Sequence, residues 1–139
     1  MEHPLPDWLH TLDFPLDEKM GFEMHELTAE KVVGSIPVKG NTQPFGMLHG
    51  GASAVLLETL ASMGAVMHGM PTNQAAVGVD LNITHLRSAT QGRVTGTATA
   101  LHLGRRTAIY AVEIVDDKGR RTAIGRLTCQ MVPRPGEES

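Results

Sequence analysis

The chain has 139 residues, 41% hydrophobic and 19% charged, a composition that excludes a disordered polymer and fits one globular domain with its own core. A formal net charge of -3 and a pI near 6.1 argue against a general nucleic-acid binder. The single cysteine, Cys129, excludes an internal disulfide and fits a reducing compartment.

The first 19 residues, MEHPLPDWLHTLDFPLDEK, are acidic and broken by prolines. They lack the basic start and apolar run of a secretion signal, so a cytoplasmic protein is expected. A short helix is predicted around Trp8–Leu12, preceded by Pro6 and Asp7 and stopped near Pro15. Two strands should follow between Gly21 and Val38, the first with Phe22, Met24 and Leu27, the second with Val32, Val33, Ile36 and Val38. Pro37 places the second strand at an edge or near its own end.

KGNTQPFGMLHGG reads as a loop, and ASAVLLETLASMGAVMHGM as a long helix ending near Gly69 and Pro71. Apolar or small residues occupy nearly every side of that helix, which predicts burial all round. Glu58 at its centre, with Gly50, Gly51 and Gly64, argues against a membrane span.

The remainder is β. Val77, Val79, Leu81 and Ile83 alternate with polar or small residues; RVTGTATALHL is a second strand, Thr107–Asp116 a third after the tight LGRR turn, and Arg121–Val132 a fourth after the DDKG hairpin. The expected class is α+β: two strands, one long helix, then four strands in hairpin-like succession, an antiparallel sheet of about six strands. The domain is expected over 20–132, with an N-terminal segment at 1–19 and a tail at 133–139. A helix wrapped on one side by a sheet needs cover on the other, so at least a homodimer is expected.

Charge is uneven along the chain. Residues 1–30 carry eight acids against Lys19, whereas residues 85–134 carry nine bases against three acids. An arginine-rich half on an acidic protein suits a small polyanion such as a phosphorylated ligand.

Glu58 is the one formally charged residue between Lys39 and Asp80, and no lysine or arginine lies at helical spacing from it. A carboxylate among leucines without a partner is costly, which makes it a candidate general base or nucleophile; a structural carboxylate bonded to backbone or across a subunit contact is the alternative. His49-Gly50-Gly51 opens the helix, where uncommitted N–H groups and the helix dipole can receive an oxyanion. Glu58 lies about two turns on, roughly 12 Å along the axis. A carbonyl held at the glycines of one chain would therefore meet the carboxylate of another across a dimer interface. Ser62, four residues beyond Glu58, shares its face.

His68, His85 and His102 show no metal-ligand spacing, and no metal site is expected. There is no P-loop, dinucleotide fingerprint or Gly-x-Ser-x-Gly elbow, since Ser53 lies inside GGASA. Met47, Leu60, Met63, Val66 and Met67 are candidates to line an acyl pocket, though most suit plain core.

QPFGMLHGGASAVLLETLASMGA, VGVDLNITHLRSA and HLGRRTAIYAVEIVDDKGRRTA together resemble the hotdog-fold acyl-CoA thioesterases over about residues 20–132. The resemblance is to the PaaI-like branch that includes 1,4-dihydroxy-2-naphthoyl-CoA hydrolase, Glu-dependent 4-hydroxybenzoyl-CoA thioesterase and the enterobactin-pathway proofreading enzyme. It implies a central helix wrapped by the sheet, dimers with interfacial sites and commonly a dimer of dimers. Glu58 then matches the base or nucleophile, Gly50 the N–H that polarises the thioester, Gln43 and His49 the entrance, and Ser62 a neighbour of the attacking water. Gly78, the run His85, Leu86, Arg87, Ser88 and the run His102, Leu103, Gly104, Arg105, Arg106, Thr107 match segments that contact coenzyme A or the acyl group.

The expected reaction is hydrolysis of an aromatic acyl-CoA without metal or redox cofactor, coenzyme A entering as part of the substrate. A carrier-protein thioesterase, a hotdog hydratase or dehydratase and a non-catalytic CoA-ester binding module are the alternatives.

Overall fold

The computed structural model describes residues 5–134. Most of the tail expected at 133–139 lies outside them. A 3-10 turn at Asp7–Thr11 is followed by a short helix α1, Pro15–Lys19, which the sequence reading missed. Pro15 starts that helix instead of stopping one, because proline's missing N–H costs nothing at a first helical position. The segment is packed down: Trp8, Leu9 and Phe14 lie against the core, and Thr59 Oγ1 donates to Asp17 Oδ1 at 2.6 Å.

Strands β1 (Glu23–Leu27) and β2 (Lys31–Pro37) precede helix α2 (Gly50–Gly69). Strands β3 (Gln74–His85), β4 (Arg93–Leu103), β5 (Thr107–Val115) and β6 (Arg121–Pro133) follow. All pairings are antiparallel, in the order β1-β2-β4-β5-β6-β3. The expected hairpin succession therefore holds only from β4 to β6. The chain leaves α2 at the far edge, lays β3 beside β6, and returns to pair β4 with β2. Pro37 ends β2 and does not mark an edge, since β2 lies between β1 and β4.

The sheet curls around α2, and glycines let it come close. A Cβ at Gly34 or Gly96 would stand 2.8 or 2.6 Å from a Leu60 methyl, and one at Gly125 2.6 Å from a Leu57 methyl. Leu56, Leu57, Leu60, Ala61 and Ala65 are consequently wholly buried, with Tyr110, Ile114 and Leu127 of the sheet. Helix α2 with its following turn (Gly50–Thr72) is long and apolar enough to cross a membrane, but half of its apolar window is buried inside the molecule.

Burial is not complete around the helix, which corrects the sequence reading. Gly51 and Glu58 are exposed, and Val55 and Ser62 half-buried, along one strip at helical spacing. The sheet covers one side of α2 and leaves this strip partly open.

Candidate active site

His49 caps α2 with extended backbone (φ -65, ψ 130), and its Nδ1 accepts the Gly51 N–H at 2.8 Å. That bond requires an unprotonated Nδ1, so the neutral ring carries its proton on Nε2. Ala52 and Ser53 N–H donate to the His49 carbonyl. The Gly50 N–H meets no acceptor among the described residues. It opens on a cleft of about 490 Å³ lined by Gln43, Met47, Ser53, His85, Arg87 and Thr122, among others.

Hydrogen bonds shape this cleft. Leu48 N–H donates to Ala89 O at 2.8 Å, fastening the loop before α2 to the segment after β3. Leu86 and Arg87 N–H both donate to the Thr122 carbonyl, at 2.8 and 3.3 Å, fixing the His85–Ser88 run. Gln43 Oε1 accepts the N–H groups of Phe45 and Met47, so its carboxamide oxygen is spent on the turn that Gly46 (φ 84) completes. Phe45, at the tip of that turn, is 84% exposed.

Glu58 is exposed in the single chain, contrary to the expectation of a carboxylate enclosed by leucines. The strip of α2 that carries it lies beside the edge strand β3, where the carboxylate reaches Gly78. A Cβ at Gly78 of β3 would stand 2.9 Å from Glu58 Oε2, so the missing side chain gives the carboxylate its room. Cys129 is the register partner of Gly78 and fully buried. Burial, and then the nearby charge of Glu58, push its thiol up to about 11, while the Ser62 hydroxyl pulls the other way.

The third group lies at the other end of α2. His68 Nε2 and the Gly104 carbonyl are 2.7 Å apart, and Gln74 Nε2 donates to Arg105 O at 2.9 Å. These bonds hold the Leu103–Thr107 turn, leaving Arg105 and Arg106 exposed. Arg87, Arg105 and Arg106 have no carboxylate in ion-pair reach among the described residues, whereas Arg93, Arg120 and Arg121 are paired with Glu23, Asp116 and Glu113.

Within one chain, then, Gln43, His49, Gly50, His85, Leu86, Arg87 and Ser88 come together at the helix start. Glu58, Ser62 and Gly78 meet at its middle, and His102–Thr107 stand at its end. The structure does not join the three groups in a single chain. Sequence reasoning missed Ser53, Leu48, Ala89 and Thr122 as cleft residues. Ser53 alone carried a signal, being a hydroxyl one turn inside the HGG helix start. Of the acyl-pocket candidates, Met47 lines the cleft, while Leu60 and Met63 are core. A larger hollow of about 780 Å³ on the outer sheet face contains none of the predicted site residues. Among the described residues no three His, Cys, Asp or Glu side chains converge as a metal-ligand set.

One long helix wrapped by a six-stranded antiparallel sheet, with its start left open beside a cleft, is a hotdog fold. Thioesterase PA1618 of Pseudomonas aeruginosa, solved as a variant, superposes with a TM-score of 0.81 at 38% identity, over 85% of this chain and 86% of that one. Residues 45–123 match the Thioesterase superfamily, and the chain belongs to it. It is 45% identical over 95 residues to 1,4-dihydroxy-2-naphthoyl-CoA hydrolase of Escherichia coli, covering 68% of this chain and 69% of the relative. It is 40% identical over 114 residues to proofreading thioesterase EntH of Cronobacter turicensis, covering 81% and 82%. The protein is thus a thioester hydrolase, and the hydratase and binding-only readings fall away.

Proposed function

We propose that the chain hydrolyses an aromatic acyl-CoA thioester in the cytoplasm, at sites formed between two copies of itself. The thioester oxygen lies against the Gly50 N–H of one subunit, at the positive end of α2. Glu58 of the partner subunit takes a proton from water or attacks the carbonyl directly, with Ser62 beside it. Gln43 and His49 border the entrance. Arg87, Arg105 and Arg106, all uncommitted, meet the phosphates of coenzyme A, and Gly78, His85, Leu86, Ser88, His102, Leu103, Gly104 and Thr107 contact the rest of the substrate. The reaction needs no metal or redox cofactor.

The observation that carries this reading is the open strip of α2, where a lone carboxylate stands exposed next to the edge strand β3, whose Val77 and Val79 are 48% and 55% exposed. Within a single chain, Gly50 and Glu58 are separated by two turns, roughly 12 Å of axial rise. A second copy laid along β3 would cover the strip and bring a carboxylate to each helix start; two such dimers would make the tetramer. The aromatic acyl group draws support from the likeness to the dihydroxynaphthoyl-CoA hydrolase. The likeness to the proofreading enzyme favours a second reading, an aroyl group carried by a protein-bound phosphopantetheine.

Thiol release from benzoyl-CoA, 1,4-dihydroxy-2-naphthoyl-CoA, decanoyl-CoA and an aroyl carrier protein tests both. The highest kcat/KM is expected on an aroyl-CoA, with Glu58→Gln slowing kcat about 10³-fold at unchanged Tm. A Glu58→Gln protein that keeps its turnover overturns the site, and release only from the carrier protein selects the second reading. Label from ¹⁸O water appearing in Glu58 after one turnover marks an anhydride opened at the Glu58 carbonyl; unlabelled Glu58 leaves the general-base route and an anhydride opened at the acyl carbonyl.

A further inference from the structure

The helix start offers the substrate a single backbone donor. Of the first N–H groups of α2, that of Gly51 is taken by His49 Nδ1 and those of Ala52 and Ser53 by the His49 carbonyl, which leaves Gly50 alone. An oxygen that gains full negative charge in a tetrahedral intermediate has room for more than one hydrogen bond, and each aimed donor counts heavily in a water-poor site.

The side chain packed against Gly50 is that of His85. A Cβ built on Gly50 would stand 2.9 Å from His85 Nε2 and 3.1 Å from its Cε1, so the imidazole rests against the bare Cα at the helix start. His85 ends β3 opposite Ala123, and the bonds from Leu86 and Arg87 N–H to Thr122 O anchor the backbone immediately beyond it. The ring is exposed to the cleft and makes no hydrogen bond among the described residues.

We propose that His85 is a catalytic residue: its Nε2–H donates to the thioester oxygen beside the Gly50 N–H, completing a two-donor oxyanion site. This goes beyond a grip on coenzyme A and rests on the hydrolase site proposed above. It also gives Gly50 a second reason to be glycine. Any side chain there would push the imidazole away while leaving the backbone N–H in place.

The test is steady-state thiol release from benzoyl-CoA by His85→Ala, His85→Gln, Gly50→Ala and the double variant His85→Ala/Gly50→Ala, with Glu58→Gln in parallel. His85→Ala is expected to lower kcat about 10²-fold with KM within about threefold, the signature of a donor felt mainly in the transition state. His85→Gln, which restores an N–H at similar reach, should recover at least about tenfold of that loss. Gly50→Ala should resemble His85→Ala, and the double variant should be no more than about threefold worse than either, because both remove one interaction. A raised KM at unchanged kcat, equal loss in the Ala and Gln variants, or additive Gly50 and His85 effects would overturn the assignment. If Glu58→Gln is inactive while His85→Ala is untouched, only this inference falls. If the unaltered protein releases no thiol, or Glu58→Gln releases it fully, the underlying site falls with it.

Discussion

The two faces of α2 are similar in composition and opposite in exposure. The inner face inserts Leu57 and Leu60 into hollows that Gly34, Gly96 and Gly125 leave in the sheet, and nothing on it is exposed. The outer strip, Gly51, Val55, Glu58 and Ser62, has small side chains and one carboxylate, and its own chain covers it only in part. On the function proposed above, stability is concentrated on one side of the helix and chemistry on the other. Changes to the inner face should therefore lower Tm at constant kcat per folded molecule, and changes to the outer strip should do the reverse.

Gly64→Ala probes the inner face most strongly. Its Cβ would stand 2.7 Å from Cε2 and Cζ of the Tyr110 ring, which cannot retreat because its hydroxyl donates to Ala29 O at 2.6 Å. A loss of about 1–3 kcal/mol is expected from the overpacking. Thermal melting should register it as a fall of several degrees, with the turnover of the remaining folded protein intact; an unchanged Tm would break the contrast between the faces.

Cys129, buried where the two faces meet at Gly78, sets a pH limit on stability. Its folded thiol titrates at about 11 against an ordinary value of 9.0. Its contribution is fully present below pH 9 and is lost as pH rises through 11, because the unfolded chain ionises first. The loss should reach roughly 2 kcal/mol near pH 11. Tyr110, also raised by burial, steepens the decline above pH 10. Urea unfolding from pH 8 to 11 should show a shallower decline for Cys129→Ala; identical slopes would contradict the assignment.

Gly78→Ala is the gentlest and most discriminating change. The atoms nearest its methyl group would be Glu58 Oε2, at 2.9 Å, and the Leu127 methyls, beyond 3.4 Å. Since the carboxylate is the free end of a flexible side chain, Tm should hold within about a degree while kcat falls about tenfold through a misplaced Glu58. Lower Tm with unchanged kcat would place Gly78 among the packing glycines instead.

Much of this arrangement was legible before any coordinates. The helix and its end at Gly69, the four later strands, and Glu58 as a lone charge followed from periodicity, turn residues and spacing. Two things were not. The position of β3 beside β6 depends on where α2 leaves the sheet, which no local pattern encodes. The exposure of Glu58 was hidden because alanine, valine and glycine suit a half-open strip as well as one under a sheet. The cleft shows the same limit. Thr122 and Ala89 border it through carbonyls that accept from Leu86, Arg87 and Leu48, so the identities of their side chains gave no sign.

The central claim is that each site combines the helix start of one subunit with the carboxylate of its partner. Gly50→Pro removes that N–H and displaces the His85 ring, at a first helical position after a His49 whose extended backbone accepts a following proline. It should be inactive alone, as should Glu58→Gln. Co-expressed in equal amounts, the two inactive chains should regain about one quarter of wild-type thiol release, since half the dimers are mixed and each carries one intact site. Activity no higher than that of the separate variants would mean that Gly50 and Glu58 serve one chain, and would contradict the shared site.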